Sequence, residues 1–137
     1  MKNKNTLLGA ALLASAGLIG LQSAQAAEGL QHVTASAASD YAKTKYPILF
    51  THGMFGFTRV GFDSFGMDYF YQVLPDLARN GANTFAAQVS PLESTEVRGE
   101  QLLAIIEDIC KRTGAEKVNL IGHSQGALSA RFAAAKR

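Results

Sequence analysis

The stretch KVNLIGHSQG, residues 117–126, decides the fold of this chain. Its apolar part, residues 118–121, runs directly into a Gly-x-Ser-x-Gly sequence, and an alanine-rich run with a helical pattern follows. This order predicts a buried strand, a very tight turn that carries Ser124, and a helix that begins there. Gly122 and Gly126 suit that turn, because a Cβ two residues on either side of Ser124 would collide with neighbouring backbone.

Two more apolar runs precede this stretch and extend the same pattern toward the N-terminus. Residues 47–51 read PILFT and residues 84–89 read TFAAQV, as expected for strands buried on both faces. A loop rich in Gly and Phe follows the first run. Because strands alternate with helical patterns, the sequence predicts the α/β class: a parallel sheet of about three strands with about three flanking helices.

Local signals give the expected bounds of the first two helices. Asp68 can cap the first helix, which should end at Asn80-Gly81. Ser94 or Thr95 can cap the second, and Gly114 suits its C-terminal end. The second helix should bury one apolar stripe, with Cys110, the only cysteine, in the core: Leu102, Leu103, Ile106, Ile109 and Cys110.

The N-terminus has the pattern of a cleaved secretory signal. Lys2 and Lys4 precede an uncharged run at residues 7–21, and Ala24-Gln25-Ala26 is a small-x-small cleavage site. A membrane anchor is the alternative, but the purely apolar run is short for a span of about 20 residues. We therefore expect a signal peptide at residues 1–26, a mobile leader at 27–45 and a secreted domain at 46–137.

The charge of the chain excludes some functions. The formal net charge is +2, and removing Lys2 and Lys4 leaves 11 basic side chains against 11 acidic ones. A neutral domain without a basic stripe is not expected to bind nucleic acid.

Ser124 is the candidate nucleophile, because a serine on such a turn projects its hydroxyl above the sheet. The alternative is a glycine-rich turn that happens to hold a serine, but the flanking strand and helix favour catalysis. Stabilising an oxyanion takes two backbone N–H groups, one from a loop after an earlier strand. Met54, which follows Thr51-His52-Gly53, and Gln125 are the candidate pair.

A serine nucleophile needs a histidine base and a carboxylate, which follow the serine in this arrangement. Thirteen residues follow Ser124, and none is Asp, Glu or His. His32, His52 and His123 are not convincing bases, and His52 is expected to brace its loop. The acid and the base are therefore expected to be absent from this sequence, which we interpret as the N-terminal part of a longer domain.

Several strings together resemble the secreted, foldase-dependent bacterial triacylglycerol lipases, the lactonizing-lipase group. The resemblance covers about residues 46–136, and VRGEQLL and KVNLIGHSQG are more specific than the serine motif alone. Ala127 departs mildly, since many members have Gly there. The strings are FTHGMFGF at residues 50–57, DYF at 68–70, EVRGEQL at 96–102 and KVNLIGHSQG at 117–126.

The resemblance implies an α/β hydrolase that cleaves long-chain acylglycerols, a mobile lid, a folding chaperone in the membrane and export from the cell. It implies that Ser124 is the nucleophile, that Met54 and Gln125 form the oxyanion hole, and that Arg98 supports the oxyanion loop. It places the acid, the base, a disulfide and a structural Ca²⁺ site in a C-terminal half, so no cofactor or metal ligand is expected in this segment.

The sequence leaves alternative functions open. The chain is either part of an ester hydrolase or an inactive truncated product that at most binds lipid or the chaperone. A short-chain esterase of the same fold is a third possibility. Aromatic and Met side chains of the Gly-rich loop could line an acyl-binding cleft or could cap the sheet, with similar weight: Phe55, Phe57, Phe62, Phe65 and Met67.

Overall fold

A computed structural model describes residues 29–62 and 65–137, as six strands and three helices. The predicted signal peptide at residues 1–26 lies outside the described residues. In chain order the elements are β1 Leu30–Val33, β2 Ile48–Thr51, β3 Arg59–Phe62, β4 Phe65–Asp68, α1 Val73–Arg79, β5 Thr84–Ala87, α2 Thr95–Thr113, β6 Asn119–Gly122 and α3 Gln125–Lys136.

The main sheet has four strands in the order β1-β5-β2-β6. β2 is parallel to β5 on one side and to β6 on the other, with Thr51 aligned to Ala87 and to Gly122. The three predicted strands and their parallel arrangement are therefore confirmed, but the predicted burial of the strand before Ser124 is wrong for the described residues: β6 lies at the edge of the sheet and is partly exposed. Because the carboxyl ends of the three strands lie together, the loops that follow them meet at one edge of the sheet.

The fourth strand corrects the expectation for residues 27–45. β1 pairs with β5 in the antiparallel sense, and its His32 ring stacks on Phe85 with 4.3 Å between centroids. The expectation of a leader without regular structure is therefore wrong for residues 30–33. Four residues are too few to show a period, whereas the edge of β5 offers unpaired backbone groups that the segment satisfies.

Helices cover both faces of the sheet. On one face α2 and α3 pack over a core of β2, β5 and helix residues, with Leu49, Phe85, Leu102 and Ile109 almost fully buried. On the other face a smaller core surrounds Phe50 and Leu74 of α1. All four residues of β2 and of β5 are buried, which explains their continuous apolar sequences.

Helix α2 begins and ends where the sequence predicts. The Ser94 hydroxyl accepts a hydrogen bond from the N–H of Val97 at 3.3 Å, and Gly114 has the left-handed φ of 70° that favours glycine. Its buried stripe includes Ile105, which the prediction omitted, while Leu103 and Cys110 are only half-buried against that core.

The predicted helix start at Asp68 is wrong. In place of a plain loop, β3 and β4 pair in the antiparallel sense, and Asp68 is the last residue of β4, opposite Arg59. Helix α1 begins only at Val73, after Gln72 with φ 63°. The backbone of Asp68 serves this pairing, so it does not cap the helix. None of the helices in the described residues combines the length and hydropathy needed to cross a membrane.

Candidate active site

Ser124 lies on a strained turn between β6 and α3. Its φ of 56° and ψ of −125° place it in a region that side chains other than glycine rarely adopt. The turn is tied to the sheet by the His123 N–H, which donates to Thr51 O at 3.1 Å. Ser124 is exposed and lies at the N-cap position of α3, so the positive end of the helix dipole lies at Ser124.

The two glycines of the motif are required by backbone packing, as predicted. A Cβ at Gly126 would lie 2.5 Å from Thr51 O and 2.6 Å from His52 O. A Cβ at Gly122 would lie 2.5 Å from Cα and N of Ala127. These neighbours are backbone atoms that cannot rotate away, so any side chain at either position would force the turn open.

The loop after β2 touches this turn. A Cβ at Gly53 would lie 3.0 Å from Cβ of Ser124 and 3.2 Å from His123 O, so a side chain here would force the loop and the turn slightly apart. Within the described part of the chain, the N–H groups of Met54 and Gln125 have no hydrogen-bond acceptor. Among the described residues both candidate oxyanion donors are therefore free. Met54 follows Gly53, which contacts the turn, and Gln125 follows Ser124 directly.

Arg98 of α2 forms hydrogen bonds with both segments that carry the candidate oxyanion donors. The side chain is fully buried, and Nη1 donates to Gln125 Oε1 at 2.6 Å while Nη2 donates to the carbonyls of His52 at 2.6 Å and Gly53 at 3.2 Å. Burial lowers the pKa of the guanidinium, which still stays charged at neutral pH. A rigid fork of donors thus fixes the loop and the first residue of α3 together.

The hydrogen bonds of the Gly53 carbonyl explain how Arg98 also fixes the direction of the Met54 N–H. It accepts from Arg98, from Nδ1 of His52 at 2.9 Å and from the N–H of Gly56 at 3.2 Å. The Gly53–Met54 peptide is trans, so the Met54 N–H points opposite to that anchored carbonyl. Three donors on one side of the peptide therefore aim the N–H of Met54 away from the core.

His52 braces the loop, as expected, and does so as a neutral imidazole. Nε2 accepts from the N–H of Val89 at 3.2 Å, so the proton belongs on Nδ1, which donates to Gly53 O. Burial lowers the pKa of His52, and the nearby Arg98 charge acts in the same direction. A neutral ring whose two nitrogens both form hydrogen bonds holds the loop in place. It is unsuited to accept a proton from Ser124.

Replacing Arg98 by Lys should destabilise the fold. An ammonium on a flexible stem cannot reproduce the fork, so buried carbonyls of His52 and Gly53 lose donors. We expect a loss of about 2 kcal/mol or more in the free energy of unfolding, measured by denaturant titration of the complete gene product. Arg131→Lys, at an exposed position of α3, is the control and should be neutral. Equal stability of both variants would refute the clamp.

Tyr69 belongs to the site and was missed by the sequence prediction. It follows β4, and its hydroxyl lies 2.6 Å from Nδ1 of His123 and accepts from the N–H of Gly53 at 3.2 Å. The string DYF contributed to the family resemblance, but no local pattern linked this tyrosine to a turn 54 residues further along the chain.

The aromatic side chains of the Gly-rich loop differ in their surroundings, and neither predicted role, acyl-binding cleft or sheet cap, is tested by them. Phe55 is exposed, whereas Phe57 packs edge-on against Tyr69. The side chains of Phe62, Phe65 and Met67 lie outside the described part. No described side chain forms a hydrogen bond with the Ser124 hydroxyl, and residues 29–62 and 65–137 hold no group of three acidic, His or Cys side chains that fits a metal ion.

Comparison with known proteins agrees with the fold. Residues 46–137 match the family model of the alpha/beta hydrolase fold. A triacylglycerol lipase of Vibrio cholerae is 50% identical over 97 residues, which are 71% of this chain and 30% of that protein. Triacylglycerol lipases of Pseudomonas fragi and Burkholderia plantarii are 46% and 44% identical, over 70% and 74% of this chain and 31% and 28% of theirs.

The chain thus spans less than a third of the length of these relatives. The family match covers the sheet from β2 onward, the loop that contacts the turn, and the turn itself. With three parallel strands, a helix that starts at a strained serine and a matching family model, the chain belongs to the α/β-hydrolase family.

Proposed function

We propose that this chain carries the nucleophile and the oxyanion hole of a triacylglycerol lipase, and that Ser124 forms an acyl-enzyme. The observation that carries the proposal is the strained backbone of Ser124 at the start of α3, in contact with a loop whose Met54 N–H has no acceptor among the described residues. Such strain is retained where it positions a reacting group.

The proposed reaction is acyl transfer. Ser124 Oγ attacks the ester carbonyl and gives its proton to a base, while the N–H groups of Met54 and Gln125 stabilise the negative oxygen. The Oγ–acyl bond forms, the bond to the alcohol breaks, and the proton leaves with the alcohol. Water then cleaves the acyl-enzyme. We propose that the histidine base and its carboxylate come from the region that the relatives have beyond the part matched here.

The surroundings of Ser124 suit an apolar acyl chain. Met54 and Phe55, in the loop that contacts the turn, are 55% and 71% exposed, and Leu128, one turn along α3, is 56% exposed. Large exposed apolar side chains next to a reacting group are suited to contact an apolar substrate. The relatives are named triacylglycerol lipases, and we propose the same substrate class here.

The substrate class is tested with the complete gene product on emulsions of long-chain and short-chain triacylglycerols and on a soluble short-chain ester. A lipase should turn over the long-chain emulsion and gain activity when an interface forms. Activity confined to the soluble ester would instead indicate an esterase of the same fold. No activity on any ester would support the inactive product.

Residues 27–137 expressed alone should have no lipase activity and should be poorly soluble. Serine is a weak nucleophile without a base, and no Asp, Glu or His follows Ser124 in this sequence. β6 is the last strand of the main sheet among the described residues, and Ile121 on it is 44% exposed, so an open edge favours aggregation.

The measurements are hydrolysis of a long-chain triacylglycerol emulsion and size-exclusion chromatography. A soluble monomer with turnover that disappears in Ser124→Ala would contradict this prediction, because it would show that the missing groups are dispensable.

A further inference from the structure

We propose that Tyr69 is a positioning residue that holds the oxyanion loop, residues 52–56, against the turn of Ser124. This inference rests on the proposed function and adds a residue that the serine motif does not contain. The hydroxyl of Tyr69 bridges the loop and the turn, and the bridge sets where the Met54 N–H stands relative to the nucleophile.

The bridge lies at the contact between the two segments. The Gly53 N–H donates to the Tyr69 hydroxyl at 3.2 Å, and that hydroxyl lies 2.6 Å from Nδ1 of His123. A Cβ at Gly53 would be 3.2 Å from the Tyr69 hydroxyl and 3.0 Å from Cβ of Ser124. A single phenol oxygen thus joins the residue before Met54 to the residue before Ser124.

Gly53 is consequently held on both of its peptide groups. The Tyr69 hydroxyl accepts a hydrogen bond from the Gly53 N–H, while Arg98 and His52 donate to the Gly53 carbonyl. The carbonyl contacts are buried, whereas Tyr69 is only half-buried and His123 is exposed. Arg98 therefore fixes the loop from the core and Tyr69 fixes it from the exposed side, so that loss of either anchor lets the Gly53–Met54 peptide tilt.

The tyrosine ring is itself held in place by four aromatic neighbours. Phe70 and Phe57 meet it edge-on at 4.9 and 5.5 Å between centroids, and the rings of His123 and His52 lie at 5.7 and 5.9 Å. A ring so enclosed presents its hydroxyl with little freedom to move. Phenylalanine would keep these ring contacts and remove only the bridge.

Tyr69→Phe in the complete gene product should lower kcat by about tenfold to a hundredfold, because a misplaced oxyanion donor weakens transition-state binding. KM should stay within about threefold and the melting temperature within a few degrees, since the ring packing is kept. Tyr71→Phe is the matched control: Tyr71 is two residues away and 66% exposed, and its variant should match wild type.

Variants of His123 test the other end of the bridge. His123→Ala should lower kcat, and Tyr69→Phe should have a smaller effect in that background than alone, as expected for two partners of one interaction. His123→Gln keeps an acceptor for the phenol and should restore part of kcat. If Tyr69→Phe did not fold, an unchanged kcat in His123→Ala would overturn the proposal.

Ser124→Ala separates this inference from the proposed function. If Ser124→Ala keeps activity, the proposed function fails. If Ser124→Ala is inactive but Tyr69→Phe has wild-type kcat, only the positioning role fails. A rise in KM at constant kcat in Tyr69→Phe would also overturn it, because Tyr69 would then bind substrate. Independent, additive effects of Tyr69→Phe and His123→Ala would exclude the bridge.

Discussion

Ser124→Ala is expected to lower kcat of the complete gene product for ester hydrolysis by about 10⁴-fold or more. The variant has no oxygen to form the acyl-enzyme, and what remains is the small acceleration that the oxyanion donors and substrate binding supply. The fold should survive, because the exposed Ser124 hydroxyl forms no hydrogen bond with any described side chain.

Initial rates on a triacylglycerol emulsion and thermal melting together test this expectation. Ser36→Ala, at an exposed serine before β2, controls for the chemical change and should keep the wild-type rate. Activity of Ser124→Ala within tenfold of wild type, at an unchanged melting temperature, would rule out the nucleophile assignment.

Gly126→Val and Gly122→Val should also abolish activity, but through folding. At Gly126 the added Cβ would meet the carbonyls of Thr51 and His52 at 2.5 and 2.6 Å, and at Gly122 it would meet Ala127 backbone at 2.5 Å. Relief requires the turn to part from β2. We expect losses of about 3 kcal/mol or more in the free energy of unfolding, because overpacking typically costs about 1–3 kcal/mol and these backbone neighbours cannot rotate away.

Soluble yield and denaturant titration measure this effect. Ala135→Val, at an exposed position of α3, controls for a β-branched residue in the helix and should cost below about 1 kcal/mol. If both glycine variants were soluble with an unchanged midpoint, the tight-turn geometry would be wrong.

The parts of the fold that could be predicted are those where local chemistry and tertiary context agree. The buried strands β2 and β5 are continuous apolar runs, and Ser94 and Gly114 bound α2 through contacts within a few residues. The turn at Ser124 was predictable because the positions of its glycines follow from close contacts with backbone atoms alone.

The parts that could not be predicted depend on partners distant in sequence. β1 is a strand because β5 offers it an edge, and residues 30–33 have no pattern long enough to show it. Asp68 is a residue type that often caps helices, but here its backbone belongs to β4, which pairs with β3.

The candidate site shows the same division. Ser124, Met54 and Gln125 could be named from a motif and from strand order, and their catalytic roles remain predictions. Tyr69 could not be placed, because its hydroxyl meets Gly53 and His123 only in the folded chain, where residues 16 and 54 positions apart in sequence come together.

Covalent labelling tests the central claim, the Ser124 nucleophile, most directly. The complete gene product is treated with a fluorophosphonate that bears an alkyl chain, and the adduct is located by intact mass and peptide mapping. The account predicts one adduct, on Ser124, formed at the wild-type rate in Tyr71→Phe, slowed in Tyr69→Phe and absent in Ser124→Ala. An adduct on another residue, or labelling that persists in Ser124→Ala, would contradict it.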